Sequence, residues 1–534
     1  MWSAPIAIAL VGLAGSVIAA PPPAPQVTSP PSLAELEERG LIGGLLGGVL
    51  GAVFSDMNSA VIAGNLGALT SALKKVTATA TPTDVAQASA TLAAIQSASP
   101  SSLFEYAAAL AANGLVVNDI NSLLTSTLGQ FTGANSLTNS NPNPKTSVYP
   151  KKGACDAPYS LSETALRQAI HIPSTFTYGK KPPVILFPGT GNTGYQTFSG
   201  NLIPLLTGVS YADPVWVNVP GQLLNDAQSN AEYAAYAINY IASLTSRNVS
   251  MIAWSQGNID SQWAYKYWPS TRLITSDHIA ISPDYKGTVI ANVADLTGLT
   301  RDPSVLQQEY FSKFITTLRS NNGDSGYVPT TVLYSGFFDE IVEPQQGTGA
   351  SAYLLDARGV GVTNTEVQLT CPGGVAGSFY THEGMLYNPI TFALVQDALT
   401  HAGPGETSRI NLPTLCTQYL ATGLNLGNFL ATENSVVIAL LSLLLYTPKL
   451  AAEPSISAYA TATSICATSV PIVSHTSTTL STAAKKEAAV TTSKLMTTTT
   501  TPQKPTSSST STKKTTTTSS SAKKPASTTT TAKK

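Results

Sequence analysis

The sequence has few charged residues and few cysteines, and both shortages restrict the kinds of protein it encodes. Charged residues make up 11% of its 534 residues, and the formal net charge is −1. None of the four cysteines stands at the spacing of a zinc site or of a redox pair. We therefore expect no metal site and no other cofactor.

Positive charge is concentrated in the last part of the chain. Residues 470–534 hold ten lysines and one glutamate, so this part carries +9 and the rest carries −10. Such a tail sometimes attracts nucleic acid, yet it consists mainly of Ser and Thr and has no aromatic residue after Pro471. It lacks the apolar surface that folding requires. We predict a disordered, O-glycosylated tail whose lysines maintain solubility, and no nucleic-acid partner.

Long apolar runs are also scarce. Met1–Ala20 is rich in Ala, Ile, Leu and Val and ends in small residues, which predicts a signal peptide and a secreted, extracellular protein, with cell-wall association as an option. No later run reaches the roughly 18 apolar residues of a membrane span, so we expect no transmembrane segment. The longest of them, Val436–Tyr446, predicts a buried helix.

The chain divides into regions of different composition. Residues 21–150 are rich in Pro, Ala, Gly and Ser, and we interpret them as a pro-region or a helical accessory segment that ends in a linker. The helical pattern is found over Pro82–Leu115, and Asn139–Lys152 is typical of a linker. All four cysteines follow, and we assign residues 151–469 to the folded catalytic domain. The pair Lys151-Lys152 is a candidate processing site.

Short apolar, β-branched runs alternate with helical patterns after residue 180. Helical patterns include Leu224–Leu244 and Val305–Arg319. This alternation predicts an α/β fold, a mostly parallel sheet with helices on both faces, in which ligands bind at the carboxyl ends of the strands. The predicted strands are Val184–Phe187, Val215–Val219, Ser250–Trp254, His278–Ser282, Thr331–Ser335 and Glu366–Leu369.

One of these strands ends in a candidate nucleophile. The apolar run that starts at Val249 is followed by Trp-Ser-Gln-Gly, with Ser255 where a strand turns sharply into a helix. The usual G-x-S-x-G motif has glycine where this chain has Ala253. In α/β-hydrolases the nucleophile, acid and base follow in the order Ser, Asp, His, and Ser255, Asp339 and His382 provide that order just beyond three predicted strands.

Two rivals remain for the acid and the base. Glu340 stands next to Asp339, and His401 also follows the acid in the chain. His401 comes after a helical pattern, which favours a surface or capping role over a catalytic one.

A glycine-rich turn, Pro188–Gly194, follows the strand Val184–Phe187. It has neither the lysine of a phosphate-binding loop nor a clean dinucleotide fingerprint. It fits an oxyanion loop better, with Thr190 as a donor through its N–H and its hydroxyl and the N–H of Gln256 as another donor.

Several motifs together resemble the fungal lipases of the Candida antarctica lipase B type. They occur in the family's order between about residues 180 and 470: FPGTGNTG (187–194), WSQGN (254–258), SPDYKGTV (282–289), DPSVLQQ (302–308), DEIVEPQ (339–345) and THEGML (381–386).

The resemblance implies an α/β-hydrolase fold and assigns roles to individual residues. It implies Ser255 as nucleophile, Asp339 as orienting acid, His382 as base, and Thr190 with Gln256 as the oxyanion hole. It also places Asp284 and Gln308 in the acyl-binding pocket and Trp254 beneath the alcohol side.

The resemblance also bears on the cysteines. In a secreted chain, four cysteines predict two disulfides, for which three pairings exist. The family pattern favours Cys371–Cys416 and places Cys466 where a C-terminal family cysteine falls. We predict that Cys466 pairs with Cys155.

These features predict a secreted serine carboxylic-ester hydrolase, a triacylglycerol lipase that forms an acyl-enzyme on Ser255. We expect a monomer that acts on an ester or lipid substrate at a lipid–water interface. The alternatives are a short-chain esterase, a cutinase-like enzyme or a transacylase on the same site. An alternative of another class is a cell-wall or adhesion protein with a vestigial hydrolase domain.

Overall fold

The computed structural model describes residues 49–461, except 99, 101–102, 118–119, 128–130 and 292–300. The predicted signal peptide, the predicted tail and Cys466 lie outside the described residues. Seven strands within them form one sheet in the order β1-β3-β2-β4-β5-β6-β7, parallel except for β1 against β3. The strands are β1 Ile170–His171, β2 Pro183–Phe187, β3 Asp213–Val217, β4 Val249–Trp254, β5 Thr275–Ile281, β6 Thr330–Tyr334 and β7 Val362–Glu366.

Helices cover both faces of this sheet, as the sequence predicts. The described α-helices are α1 Val49–Ile62, α2 Leu66–Leu73, α3 Val85–Ser97, α4 Leu103–Ala112, α5 Ile120–Thr127, α6 Glu163–Gln168, α7 Gly194–Phe198, α8 Leu202–Leu206, α9 Ala227–Thr245, α10 Gly257–Tyr267, α11 Pro303–Gln307, α12 Lys313–Arg319, α13 Val367–Thr370, α14 Pro389–Thr400, α15 Leu412–Leu415, α16 Leu426–Leu445 and α17 Ala458–Thr461. Short 3₁₀ turns occupy Gly133–Asn135, Pro269–Leu273, Gly347–Gly349, Val375–Gly377, Gly384–Leu386 and Thr407–Arg409.

The core has two layers because successive side chains of a strand point to opposite faces. In β2, Val184 and Leu186 join the layer that contains α14 and α16, whereas Ile185 and Phe187 join the layer that contains α9 and α10. Strands covered on both faces must be apolar throughout. This explains why β2 and β4 are recognisable in the sequence as short continuous apolar runs.

The strand predictions are confirmed for five of the six runs, with ends shifted by at most three residues. The prediction of a strand at Glu366–Leu369 is wrong, because β7 ends at Glu366 and α13 begins at Val367. The strand β7 reads VTNTE and pairs only with β6 at the edge of the sheet. A half-exposed edge strand does not need an apolar run, so its sequence gave no clear signal.

Two predicted helices are interrupted in the structure. The pattern over Val305–Arg319 contains α11 and α12, and between them Phe311 adopts a φ of 70°, which no helix accommodates. The pattern over Pro82–Leu115 contains α3 and α4. Pro100 lies between these two helices, and proline removes a backbone donor inside a helix. The predicted helix Leu224–Leu244 is confirmed as α9.

The apolar run Val436–Tyr446 belongs to a longer helix than predicted. The helix α16 spans 20 residues because Asn425 caps it in a reciprocal pair with Asn428. By length and composition it is the one helix in the described part of the chain able to cross a membrane. Its apolar window is 72% buried within the protein, as the core-helix prediction requires.

The N-terminal helices α1–α5 pack onto this core. Their apolar side chains belong to the same hydrophobic cluster as α16, against which α4 and α5 lie. The side chain of Asn434 in α16 accepts the backbone N–H of Val117 at 3.0 Å. The interpretation of residues 21–150 as a pro-region or a helical accessory segment stays a prediction, and the described helices of this region belong to the core layer that covers one face of the sheet.

The predicted linker Asn139–Lys152 contains no helix or strand, yet it is attached to the sheet layer. The Asn139 side chain donates to the carbonyl of Gln168 at 2.8 Å, and Val148 is fully buried. Just before it, the carbonyl of Ala134 accepts hydrogen bonds from the Trp216 indole at 2.7 Å and the Asn218 amide at 3.0 Å. The polypeptide therefore follows the edge of the sheet before it enters the predicted catalytic domain.

Candidate active site

Ser255 stands at the sharp turn between β4 and α10. Its φ is +53°, a left-handed conformation that a serine adopts only when its surroundings enforce it. The Ser255 N–H donates to the carbonyl of Ile281 at 3.0 Å. The Ser255 carbonyl accepts from the backbone and side-chain nitrogens of Asn258 at 2.9 and 3.0 Å. The turn is thus fixed on both sides of the candidate nucleophile.

The turn at Ser255 approaches the glycine-rich loop Pro188–Gly194 closely, which explains why Gly257 and Gly189 are glycines. A Cβ on Gly257 would lie 2.3 Å from the carbonyl oxygen of Pro188, so only glycine fits there. A Cβ on Gly189 would lie 2.8 Å from the Cβ of Ser255. Ala253, where the usual motif has glycine, is a residue of β4 and is fully buried in the core. Its methyl group fills space there, and the missing glycine is no defect of the turn.

His382 and Asp339 form a buried pair. The Nδ1 atom of His382 lies 3.1 and 3.0 Å from the two carboxylate oxygens of Asp339. The same carboxylate accepts the backbone N–H groups of Ile341 at 3.1 Å and Val342 at 2.8 Å. The Nε2 atom of His382 is buried without a hydrogen-bond partner among the described residues. The imidazole therefore has one nitrogen fixed by the acid and the other available to a reacting group.

Opposing effects act on the pKa of His382. Burial lowers it, whereas the charge of Asp339 and the hydrogen bond to it raise it, and the net result is a raised pKa. A carboxylate beside the ring stabilises the imidazolium that forms when the ring accepts a proton. The pair therefore has the electrostatics of a general base.

Trp254 links the nucleophile strand to the histidine loop. Its indole N–H donates to the His382 carbonyl at 3.2 Å, and the two rings lie 5.0 Å apart. The hydroxyl of Ser282, at the end of β5, donates to the same carbonyl at 3.0 Å. Because Trp254 directly precedes Ser255, this contact places His382 at the carboxyl end of β4.

The rival acid and base occupy other places. Glu340 accepts the backbone N–H of His382 at 3.0 Å, whereas the ring is hydrogen-bonded to Asp339. The side chain of His401 is 53% exposed at the end of α14, and its Nδ1 lies 3.0 Å from Asp397. Asp397 also binds Arg409 at 2.7 Å. The structure thus brings Asp339 and His382 together and leaves His401 at the surface.

Side chains of the proposed oxyanion hole form one network. The Thr190 hydroxyl lies 2.8 Å from Oε1 of Gln256 and 3.0 Å from Oε1 of Gln308. The Gln308 amide donates to Gln256 at 3.0 Å, and the Gln256 amide donates to the carbonyl of Leu223 at 3.0 Å. No hydrogen bond within the described residues takes up the backbone N–H of Thr190 or of Gln256. Two free donors therefore accompany a fixed side-chain network.

Comparisons with known proteins show the family of this chain. The crystal structure of Aspergillus fumigatus lipase B matches with a TM-score of 0.69 and 43% identity, over 76% of this chain and 99% of that one. The chain belongs to the fungal lipase B family. Lipase B of Pseudozyma antarctica is 37% identical over 222 residues, which are 41% of this chain and 61% of the relative. No protein-family model matches the chain.

The structural match is longer than the predicted catalytic domain. Residues 151–469 are 319 of the 534 residues, or about 60%, so a match over 76% of the chain extends outside them. A part of this chain beyond the predicted catalytic domain therefore has a counterpart in that lipase B structure.

The predicted pocket residues of this lipase B family member lie around the same site. Gln308 is in the network of Thr190, and Trp254 contacts His382. Burial raises the pKa of Asp284 to about 7, while the nearby His382 lowers it. The roles of these residues in acyl or alcohol binding stay predictions.

Sequence reasoning missed several residues that hold the oxyanion loop. The carbonyl of Gln222 accepts the N–H of Gly191 at 2.8 Å. The side chain of Asn192 donates to the carbonyl of Ser435 in α16 at 3.0 Å, and a Cβ on Gly191 would lie 2.5 Å from Cα of Ala439. These contacts join segments that are far apart in the chain, so no local sequence pattern predicts them.

The cysteine and metal predictions have separate outcomes. The structure contains the Cys371–Cys416 disulfide. Cys155 is disulfide-bonded, and its predicted partner Cys466 lies outside the described residues. No group of three or more His, Cys, Asp or Glu side chains suited to a metal occurs in the described ranges.

Proposed function

We propose that this chain is a secreted serine carboxylic-ester hydrolase, a triacylglycerol lipase acting through an acyl-enzyme on Ser255. The observation that carries the proposal is the buried His382–Asp339 pair, joined by Trp254 to the turn that holds Ser255 in a left-handed conformation. The relatives of this chain named lipase B support the same activity. Its signal-like Met1–Ala20 supports secretion.

The proposed reaction uses His382 twice. Its Nε2 takes the proton of the Ser255 hydroxyl as Oγ attacks the ester carbonyl, and Asp339 stabilises the resulting imidazolium. When the tetrahedral intermediate collapses, the alcohol leaves with that proton. Water, activated by the same nitrogen, then attacks the acyl-enzyme, and Ser255 recovers its proton as the carboxylic acid departs.

The oxyanion is stabilised by two fixed backbone donors and by a hydroxyl that turns toward it when it forms. The N–H groups of Thr190 and Gln256 supply two hydrogen bonds. The Thr190 hydroxyl carries a single hydrogen, which it gives to a glutamine oxygen in the free protein. In the reaction it turns to the oxyanion as a third donor. Loss of one such donor lowers kcat by about 10²–10³, and we expect this for Thr190→Val.

The decisive experiment replaces the nucleophile. Ser255→Ala should abolish hydrolysis of a chromogenic fatty ester and prevent labelling by a fluorophosphonate. Ser261→Ala is the matched control, because this serine is also buried in the following helix and only donates to the carbonyl of Gly257 at 2.7 Å. Near wild-type hydrolysis by Ser255→Ala would reject the assignment. Absence of labelling in the wild type would favour an adhesion protein with a vestigial hydrolase domain.

The substrate class is a separate question. A triacylglycerol lipase should hydrolyse emulsified long-chain esters faster than soluble short-chain ones. The reverse preference would identify a short-chain or cutinase-like esterase, and faster transfer to an added alcohol than to water would identify a transacylase. Recovery of the active protein from culture medium, with an N-terminus after Ala20, tests secretion.

A further inference from the structure

Three glutamate carboxyl groups lie close to one another and to the candidate catalytic pair. Glu383 and Glu433 are fully buried, and so is one carboxyl oxygen of Glu340. Each of the three has one carboxyl oxygen without a hydrogen-bond donor among the described residues. Buried carboxyl groups without such donors are rare in proteins because burial of a carboxylate is costly. The cluster therefore calls for a functional explanation.

Two of these glutamates are chain neighbours of the catalytic pair. Glu340 follows Asp339 and accepts the backbone N–H of His382 at 3.0 Å. Glu383 follows His382. The main chain of the histidine loop sets the direction of the imidazole. Its position therefore depends on how these two carboxyl groups are held.

Two helices, α4 and α16, also contribute side chains to the cluster. The hydroxyl of Tyr106 in α4 donates to Oε1 of Glu383 at 3.4 Å, and this tyrosine is buried. The hydroxyl of Tyr387 donates to Oε1 of Glu433 in α16 at 3.0 Å. Tyr106 therefore connects the N-terminal helices to the residue next to His382.

Two of these carboxyl groups, those of Glu340 and Glu433, have raised pKa values. Burial raises the pKa of Glu340, and the charges of Glu383 and Asp339 raise it further. Burial raises the pKa of Glu433, and the charge of Glu383 raises it further. Neighbouring carboxylates disfavour each other's ionisation. The ionisable side chains that face the cluster are Tyr106, Asp339, His382, Tyr387 and Tyr419.

We propose that Glu340 and Tyr106 are positioning residues for His382. Glu340 holds the backbone N–H of His382, and Tyr106 holds Glu383, so the N-terminal helices help to orient the catalytic base. This inference rests on the proposed function, because it assigns the two residues to the same base.

The test compares four variants of the full-length protein on a soluble ester. Glu340→Leu removes the acceptor of the His382 N–H and should lower kcat about tenfold, with KM unchanged, as loss of a buried hydrogen bond does. Glu340→Gln keeps an acceptor oxygen and should restore most of that loss. Tyr106→Phe should lower kcat about threefold, the effect of one neutral hydrogen bond. Tyr236→Phe is the control, because this buried hydroxyl binds Glu163 at 3.0 Å in the other core layer.

The rate of labelling of Ser255 by a fluorophosphonate is measured on the same variants, because it reports the base without turnover. We expect it to fall with kcat in Glu340→Leu and Tyr106→Phe and to stay at the wild-type value in Tyr236→Phe. The proposal is overturned if both variants label at the wild-type rate, if Glu340→Gln is as slow as Glu340→Leu, or if the Tyr236→Phe control is equally slow. A wild-type protein that does not label at all would instead overturn the proposed function.

Discussion

Replacing Gly257 with alanine places a methyl group between two segments of the candidate active site. The new Cβ would lie 2.3 Å from the carbonyl oxygen of Pro188 and 3.0 Å from that of Phe187. A carbon and a carbonyl oxygen approach no closer than about 3.3 Å, so the backbone must move by about 1 Å. Both contacts are main-chain atoms that lead into the oxyanion loop, and no flexible side chain can absorb the overlap.

The size of the effect follows from these contacts. Overpacking of a well-packed site costs typically about 1–3 kcal/mol, and we expect about 3 kcal/mol because backbone atoms must shift. Displacement of the loop also moves the Thr190 N–H relative to the oxyanion, and a misplacement of about 1 Å costs about 10²-fold in rate. Gly257→Ala should therefore lose both stability and kcat.

The opposite change at the other motif position should not help. Ala253→Gly restores the usual motif, but Ala253 is fully buried between β2 and β5, where it pairs with Phe187 and Ala280. Loss of one buried methyl group costs about 0.8 kcal/mol, and glycine in a strand adds about 0.5–1 kcal/mol. We expect a loss of about 1–2 kcal/mol and an unchanged kcat.

Urea unfolding and kcat on a chromogenic ester measure both variants. Gly349→Ala is the control, since a Cβ there would meet no atom within 4 Å. An active, stable Gly257→Ala protein, or an Ala253→Gly protein more stable than the wild type, would refute the reasoning about the turn.

Three further predictions concern the partners of the nucleophile and the disulfide. Asp339→Asn should lower kcat by about 10⁴. It should also lower the pKa of the acid limb of kcat/KM, at which activity is lost because His382 becomes protonated, since Asp339 raises that pKa; an unmoved acid limb would contradict this. His401→Ala should keep wild-type kcat, and a strong loss would return His401 to candidacy as the base. Replacing Cys371 and Cys416 by serine opens a loop of 45 residues and should cost about 4 kcal/mol of unfolding free energy, with kcat retained at low temperature.

The parts of the fold that depend on local patterns could be predicted from the sequence. The strands β2, β4 and β6 are buried on both faces, and their apolar runs end within two residues of the observed ends. The order of Ser255, Asp339 and His382 indicated the pair that the structure brings together. Ser255 and Asp339 follow β4 and β6, which are recognisable in the sequence, whereas His382 follows β7, which is not. Candidate site residues at the ends of parallel strands can therefore be predicted from the sequence where the strands themselves can be.

Features that depend on contacts between distant segments could not be predicted. The sequence left Glu340 and Asp339 as rivals, and only the folded loop shows one carboxylate on the imidazole and the other on the backbone N–H of His382. The break at Phe311 has a positive φ at a residue that is neither glycine nor proline, so the sequence does not mark it. Tyr106 lies 277 residues before Glu383, so their contact left no trace in local spacing.

The packing of the N-terminal helices on α16 determines what cleavage of the chain after Lys152 would do. Their apolar side chains share one core with α16, and α16 also holds the oxyanion loop through the Ser435 carbonyl and Ala439. Cleavage after Lys152 would cut the chain without removing this buried apolar contact, and the freed helices would remain bound by the same hydrophobic effect that packs the core. Separation would expose α16 and remove the Tyr106 hydroxyl from Glu383. If the chain is processed at this site, we therefore expect an active enzyme of two associated polypeptides, and dissociation of the N-terminal helices should lower its activity.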